Sequence, residues 1–315
     1  MTSQAAPMSK APPSEGSSSL PVELVCPDGV RLRGHLWSRD TPPVARVVIN
    51  AATGVLARYY HRYAAFLVGH GFEVLTWDYR GIGLSRPDRL RRCGYLWRDW
   101  GEKDFATVLA FVAKREARDG ALPLLVVGHS IGGFLPGLAQ GAERIDRMLT
   151  MGAQYAWWGD YAPRRRLALL LKWHLAMPVL TAACGYFPGR RLGWLEDLPA
   201  GVALEWALRG PRFERSHPAP DRAEVLARMA AVRADILAVA VSDDELGTLP
   251  AIGRTLGYYQ GARRTAVLLH PADYQRAGIG HFSLFHDSHR NGFWRDTLVW
   301  LRDGANPWAD RIARF

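Results

Sequence analysis

The sequence predicts an α/β fold in which a mostly parallel central sheet is covered by helices on both faces. Strand-like and helix-like segments alternate along the chain, which is the pattern of parallel strands joined by crossover helices. Several strand-like segments are short, unbroken apolar runs, as buried parallel strands are. Of the 315 residues, 48% are hydrophobic, so the chain has enough apolar material to bury a large core.

The predicted elements begin with a hairpin and continue as alternating strands and helices. Pro27-Asp28-Gly29 is a turn signal between the first two strands. In chain order, the sequence predicts strands at Leu20–Cys26, Val30–Trp37 and Val44–Asn50, a helix at Tyr60–Gly69, a strand at Glu73–Trp77, a helix at Trp100–Arg115, a strand at Leu124–Val127, a helix reaching about Gln140, and strands at Ile145–Met151, Ile236–Ser242 and Thr265–His270.

The most informative motif is Gly128-His129-Ser130-Ile131-Gly132, a G-x-S-x-G pattern between a predicted strand and a predicted helix. A side chain at Gly128 or Gly132 would collide with the neighbouring strand and helix, so the turn needs glycine there. The turn would hold the Ser130 hydroxyl at the carboxyl end of the sheet, beside helix N–H groups. An ordinary glycine-rich turn is the alternative interpretation, but the flanking strand and helix favour a nucleophile.

A serine nucleophile needs a base to take its proton and an acid to orient that base. Where the serine lies on such a strand-to-helix turn of a parallel sheet, the three residues follow along the chain in the order serine, acid, histidine. The strand Ile236–Ser242 runs into Asp243-Asp244-Glu245, which places carboxylates at the catalytic edge of the sheet. The loop after the last strand carries His281, and His286 is the alternative base.

These motifs resemble those of the α/β-hydrolase superfamily, and specifically the bacterial predicted hydrolases grouped with serine aminopeptidase-like proteins. The resemblance covers approximately residues 22–301. The markers are Asp78–Ser85, the turn at Ser130, Ser242–Glu245, Gly280–Phe282, Phe187–Arg191 and Glu196–Pro199. The resemblance implies an α/β-hydrolase fold with Ser130, Asp244 and His281 as the catalytic triad. It favours Asp244 over Asp243, which is then a turn or cap residue.

The resemblance also implies two backbone N–H groups that bind the oxyanion of the reacting ester. Many relatives carry His-Gly after the third strand, whereas this chain has Ala51-Ala52-Thr53-Gly54. Small residues there still allow a backbone N–H to approach the substrate, so Ala52 or Thr53 is the first expected donor. Ile131, the residue after the nucleophile, is the second.

The alternation of strands and helices stops between residues 154 and 232, which contain no convincing strand. Since α/β-hydrolases carry a cap at this position, we expect a helical cap at 154–232, inserted in a core formed by 21–153 and 233–315. Residues 1–20 are expected to be a disordered tail. Candidate substrate-binding residues are His129, with a structural role as the alternative, and five tryptophans, with packing inside the cap as the alternative: Trp157, Trp158, Trp173, Trp194 and Trp206.

Composition excludes several other classes of partner. The net charge of +10 comes from scattered residues that are mostly arginine, and no nucleic-acid-binding motif accompanies it, so no nucleic-acid partner is expected. Leu167–Cys184 approaches bilayer length, but Lys172, His174 and Pro178 interrupt it, so membrane contact is not expected.

No cofactor is expected, because the triad chemistry requires none. His281, His286 and His289 with Asp287 match no strong metal-ligand spacing, so no metal is expected either. The three cysteines are far apart, and no apolar signal segment lies in the first twenty residues. Both features suit a reducing, cytoplasmic location.

The sequence therefore predicts a serine hydrolase that acts on an ester of a small or medium, largely apolar substrate through an acyl-enzyme. The first alternative is an acyltransferase or thioesterase with the same triad. The second is a non-catalytic ligand-binding protein on a hydrolase scaffold.

Overall fold

The computed structural model describes residues 18–314, which form a nine-stranded sheet with helices on both faces. Eleven strands lie in this part of the chain: β1 Ser18–Val25, β2 Arg31–Ser38, β3 Ala45–Asn50, β4 Phe72–Trp77, β5 Leu124–His129, β6 Arg147–Met151, β7 Tyr186–Phe187, β8 Leu198–Pro199, β9 Asp235–Val241, β10 Arg263–Leu269 and β11 Ile312–Ala313. The longer helices are α1 His61–Gly69, α2 Ala106–Asp119, α3 Arg166–Cys184, α4 Ala200–Ala207, α5 Arg222–Ala231, α6 Leu249–Leu256 and α7 Phe293–Asp303.

The large sheet has the strand order β1-β2-β4-β3-β5-β6-β9-β10-β11. All pairs from β4 to β10 are parallel, whereas β1, β2 and β11 pair with their neighbours in the antiparallel direction. Every residue of β3, β4 and β5 is buried. The predicted mostly parallel sheet is therefore confirmed, and the carboxyl ends of its parallel strands all meet at one edge.

The segment after Ser130 differs from the predicted α-helix. It forms two 3-10 turns, Ser130–Gly133 and Leu135–Leu138. Pro136 cannot donate a backbone hydrogen bond, and the hydroxyl of Tyr259 accepts from the Gly137 N–H at 3.0 Å. Side chains from elsewhere in the fold thus replace the hydrogen bonds of a regular helix.

The amino-terminal boundary also differs from the prediction. Residues 18–20, assigned to the tail, belong to β1, whose Ser18 pairs with Ser38. The remaining residues of the predicted tail, 1–17, lie outside the described part of the chain.

The inserted segment 154–232 contains strands as well as helices, contrary to the prediction. The two-residue strands β7 and β8 pair in the antiparallel direction. Helix α5 packs against the turns behind Ser130, where Arg228 donates to the Leu138 carbonyl at 2.9 Å. This helix therefore packs against the core of the fold behind Ser130.

Candidate active site

The turn after β5 holds Ser130 in a conformation that side chains rarely adopt. Its φ is +53°, in the left-handed region. A Cβ atom at Gly128 would lie 2.5 Å from the Gly133 Cα, and one at Gly132 would lie 2.2 Å from the Asn50 carbonyl oxygen. Because neither position has room for a side chain, the glycines permit the close packing that strains the backbone at Ser130.

The acid and the base form a buried pair beside this turn. His281 Nδ1 lies 2.7 Å from Asp244 Oδ2, and their side chains are only 6% and 2% exposed. Asp244 Oδ1 accepts backbone N–H groups from Leu246 and Gly247, each at 2.8 Å. Burial raises the pKa of Asp244, but His281 and these hydrogen bonds outweigh burial and hold the pKa below its ordinary value. Asp244 is thus ionised at neutral pH.

Two glycines behind this pair were missed by sequence reasoning. Gly152, just after β6, has a φ of +56°, and a Cβ there would lie 2.8 Å from Asp244 Oδ2 and 3.0 Å from His281 Cε1. A Cβ at Gly247 would lie 2.6 Å from the same carboxylate oxygen. A side chain at either position would push the acid–base pair out of place.

Asp243, the neighbouring carboxylate, has a different position. Its two oxygens accept the N–H groups of Ile279 at 2.8 Å and of Gly280 at 3.0 Å. These contacts hold the loop that carries His281. Asp243 therefore stabilises the turn that presents His281 and does not contact the imidazole through a hydrogen bond.

The Ser130 hydroxyl contacts a residue that sequence reasoning did not select. Its Oγ lies 3.4 Å from Gln154 Nε2, and Gln154 Oε1 accepts the Ala156 N–H. Within residues 18–314, no hydrogen bond joins Ser130 Oγ to His281, although both residues line the same cavity. The only sequence signal for Gln154 is its place shortly after β6, at the carboxyl edge of the sheet.

His129 does not face the cavity, contrary to its selection as a substrate-binding candidate. It is fully buried, with Nδ1 2.7 Å from the Tyr60 hydroxyl and Nε2 2.8 Å from the His281 carbonyl oxygen. The Tyr60 hydroxyl in turn accepts the Ala52 N–H at 3.0 Å. Burial, with a contribution from His281, lowers the pKa of His129 to about 3, so a neutral imidazole links these loops.

The cavity above Ser130 has a volume of about 400 Å³, and both apolar and charged side chains line it. Of the five predicted tryptophans, three line it: Trp173, Trp194 and Trp206. Trp157 packs under the Arg254 guanidinium at 4.4 Å, and Trp158 is 38% exposed, so both lie elsewhere. The other large apolar side chains of the lining come from several elements: Trp97, Ile131, Leu169, Leu195, Leu246 and Phe282. The carboxylates of Asp243 and Glu245 also line the cavity.

One ammonium group also faces this cavity. Lys172 Nζ lies 4.4 Å from the ring centre of Trp173 and 4.5 Å from that of Trp194, within the range of cation–π attraction. Burial, with Arg165 nearby, lowers the pKa of Lys172 below its usual value. The aromatic walls thus surround a single half-buried cation.

The residues predicted to donate to the oxyanion all lie at the cavity that contains Ser130. Ala52, Thr53 and Ile131 all line the cavity. The Ala52 N–H is already hydrogen-bonded to the Tyr60 hydroxyl, as described above.

His286, the alternative base, is exposed, and its side chain accepts the Ser288 N–H. In the described range 18–314, no group of three His, Cys, Asp or Glu side chains could hold a metal ion.

Comparison with known proteins places this geometry in a family context. Residues 41–190 match the family model described as "Serine aminopeptidase, S33". Over 107 residues the chain is 34% identical to a monoacylglycerol lipase of Mycolicibacterium smegmatis. That match covers 33% of this chain and 35% of the lipase, so the chain aligns with about a third of the length of that relative.

Solved structures extend the likeness over nearly the whole chain. Brefeldin A esterase, a bacterial homologue of human hormone-sensitive lipase, matches with a TM-score of 0.60 at 15% identity, covering 96% of this chain and 80% of the esterase. An esterase of Pyrococcus furiosus matches with a TM-score of 0.58 at 15% identity, covering 90% of this chain and 91% of that one. The chain therefore has the α/β-hydrolase fold, and its residues 41–190 match the serine aminopeptidase S33 family model.

Proposed function

We propose that the protein is a serine hydrolase that cleaves an ester of a small or medium, largely apolar substrate. The observation that carries the proposal is the buried Asp244–His281 pair, joined at 2.7 Å beside the strained turn of Ser130. An ionised carboxylate bonded to Nδ1 fixes the tautomer in which Nε2 is free to accept a proton. A non-catalytic scaffold has no need of this arrangement.

In the proposed reaction, Ser130 Oγ attacks the ester carbonyl while His281 Nε2 takes its proton. The tetrahedral intermediate then collapses, and His281 returns the proton to the leaving alcohol, which yields an acyl-enzyme. Water attacks the acyl-enzyme with the same proton transfers and releases the acid. Gln154 Nε2 donates to Ser130 Oγ at 3.4 Å, so this weak contact does not use the hydroxyl proton that His281 takes.

We assign the oxyanion to the backbone N–H groups of Ile131 and Thr53. Both residues line the cavity, and Ile131 follows the nucleophile as in other nucleophile elbows. Ala52 is the less suitable donor, because its N–H would first have to leave the Tyr60 hydroxyl. Preorganised donors of this kind are the largest contribution to many acyl-transfer reactions.

An apolar acyl or alcohol group suits the cavity best. Four tryptophans and three leucines line it, and most of them come from segment 154–232, which we propose acts as a cap over the site. The partial relative named a monoacylglycerol lipase supports the same substrate class, since such a lipase acts on an ester. The volume of about 400 Å³ limits the bound group to a modest size.

A panel of substrates tests this proposal. We expect esters to be turned over faster than matched thioesters and amides, with Ser130→Ala as the blank. Each added methylene buried in the cavity is worth roughly 0.8 kcal/mol, or about fourfold in kcat/KM, until the cavity is full. Trp173→Ala should move the preferred acyl length and spare a small activated ester. Faster thioester turnover would support a thioesterase, whereas no turnover of any substrate by folded protein would support a binding scaffold.

A further inference from the structure

Helix α3, which lies over the cavity, is apolar on its outer face as well as on its inner face. The inner row, Leu169, Trp173, Met177 and Thr181, is buried. The outer row, which we call the α3 outer row, consists of four aliphatic side chains that are 48–67% exposed: Leu167, Leu171, Leu175 and Val179. Single exposed aliphatic residues are normal, but a continuous row of four on one helix face marks an interaction site.

The surroundings of the α3 outer row are strongly basic. Between Asp160 and Glu196 the chain has no acidic residue and six Lys or Arg residues. Arg164 and Arg165 are exposed just before the helix, and Arg190 and Arg191 are exposed shortly after it. Arg165 makes an ion pair with Glu245 at 3.0 Å. Arg91 also lies beside the end of the helix, since a Cβ at Gly185 would be 3.3 Å from its Cγ.

We propose that the α3 outer row docks onto the surface of an anionic lipid bilayer. The aliphatic side chains enter the boundary between headgroups and acyl chains, and the arginines at both ends of the helix contact the anionic headgroups. A second copy of the chain would bring two equally basic surfaces together, so it fits the charge less well. This inference reverses the expectation from the interrupting polar residues, because Lys172 and His174 lie away from the exposed row.

The helix lies on the bilayer and does not cross it. By length and composition α3 could span a membrane. Crossing would require it to leave the core, where Trp173 is 5% exposed and Met177 is fully buried. Docking keeps those contacts and exposes only the outer row to lipid.

The role that we give to docking rests on the proposed function, because docking would serve to bring an ester substrate to the cavity. Leu169, Lys172 and Trp173 of the same helix line the cavity that holds Ser130. A docked α3 would therefore place the cavity close to apolar esters dissolved in the lipid.

Sedimentation with vesicles tests the docking. The full chain is mixed with two kinds of vesicle. One contains phosphatidylcholine alone, and the other contains phosphatidylcholine with about one third of the anionic lipid phosphatidylglycerol. We expect wild type to bind the anionic vesicles, and binding to fall at least about tenfold without the anionic lipid or at high salt. Changing all four residues of the α3 outer row to serine should cause a similar loss. The control variant, Val25→Ser with Val44→Ser, removes two exposed aliphatic side chains that lie outside segment 154–232 and are 57% and 51% exposed. It should bind like wild type.

A second variant and a second readout keep the test decisive. Arg164→Gln with Arg190→Gln and Arg191→Gln should weaken binding to anionic vesicles and reduce its salt dependence. Every variant should keep wild-type turnover of a water-soluble short ester, which shows that the fold and the catalytic site are intact. Docking would be overturned by equal binding of wild type and the serine variant, by a wild-type dimer that the serine variant dissociates, or by extraction of the protein only with detergent. If the wild-type protein docked but turned over no ester, the result would instead contradict the proposed function.

Discussion

Asp244→Asn should lower kcat by about 10⁴-fold while leaving the fold intact. The carboxylate bonds His281 Nδ1 at 2.7 Å in a site where both side chains are almost fully buried. Asparagine is nearly the same size, but its amide cannot balance the charge of the imidazolium, and its N–H₂ group favours the wrong imidazole tautomer. The loss should appear in kcat more than in KM, because the charge develops only in the transition state. Steady-state kinetics on a short ester measure it.

Asp243→Asn is the matched control for this change. It makes the same exchange of carboxylate for amide at the adjacent residue, but Asp243 accepts hydrogen bonds only from the N–H groups of Ile279 and Gly280. Its loss should loosen the loop that carries His281 and cost far less in kcat. If Asp243→Asn were the more damaging of the two, Asp243 would be the acid, and the position of the His281 loop would have to differ from that described above.

His281→Ala should remove turnover at neutral pH, with a loss of about 10⁵–10⁶-fold in kcat. Ser130 would then have no group to take its proton, and water is a poor substitute at this pH. Steady-state turnover of the same short ester measures the loss, and circular dichroism checks that the variant is folded.

His286→Ala is the control for the base. This histidine is exposed, and its side chain accepts the Ser288 N–H at the start of a short turn. Its removal should leave kcat within a few-fold of wild type. An active His281→Ala together with an inactive His286→Ala would assign the base to His286.

The parts of the site that the sequence predicts are those set by local chain geometry. The strand before Gly128, the glycines around Ser130 and the carboxylates after β9 all follow from short-range patterns. Their positions at one edge follow from the parallel sheet, since each motif ends a strand. The order of serine, acid and histidine could therefore be placed before any contact was known.

The parts that the sequence does not predict depend on contacts between distant segments. Gln154 approaches Ser130 from the start of the inserted segment, and no local pattern indicates that its side chain turns inward. The same holds for His129, which bonds Tyr60 and the His281 carbonyl from positions far apart in the chain. Likewise, which tryptophans line the cavity is decided by how α3 packs, and the exposed row on its outer face becomes visible only when the inner row is known to be buried.

Covalent labelling of Ser130 tests the central claim most directly. A fluorophosphonate probe reacts with a serine whose hydroxyl is activated by a base and whose oxyanion is stabilised by N–H donors. Mass spectrometry of the digested protein should find the phosphonyl group on the peptide that contains Ser130, and on no other serine. Ser130→Ala should remain unlabelled, and Asp244→Asn should be labelled much more slowly than wild type. A folded wild-type protein that stays unlabelled at Ser130, under conditions where a known serine hydrolase is fully labelled, would contradict the assignment of Ser130 as the nucleophile.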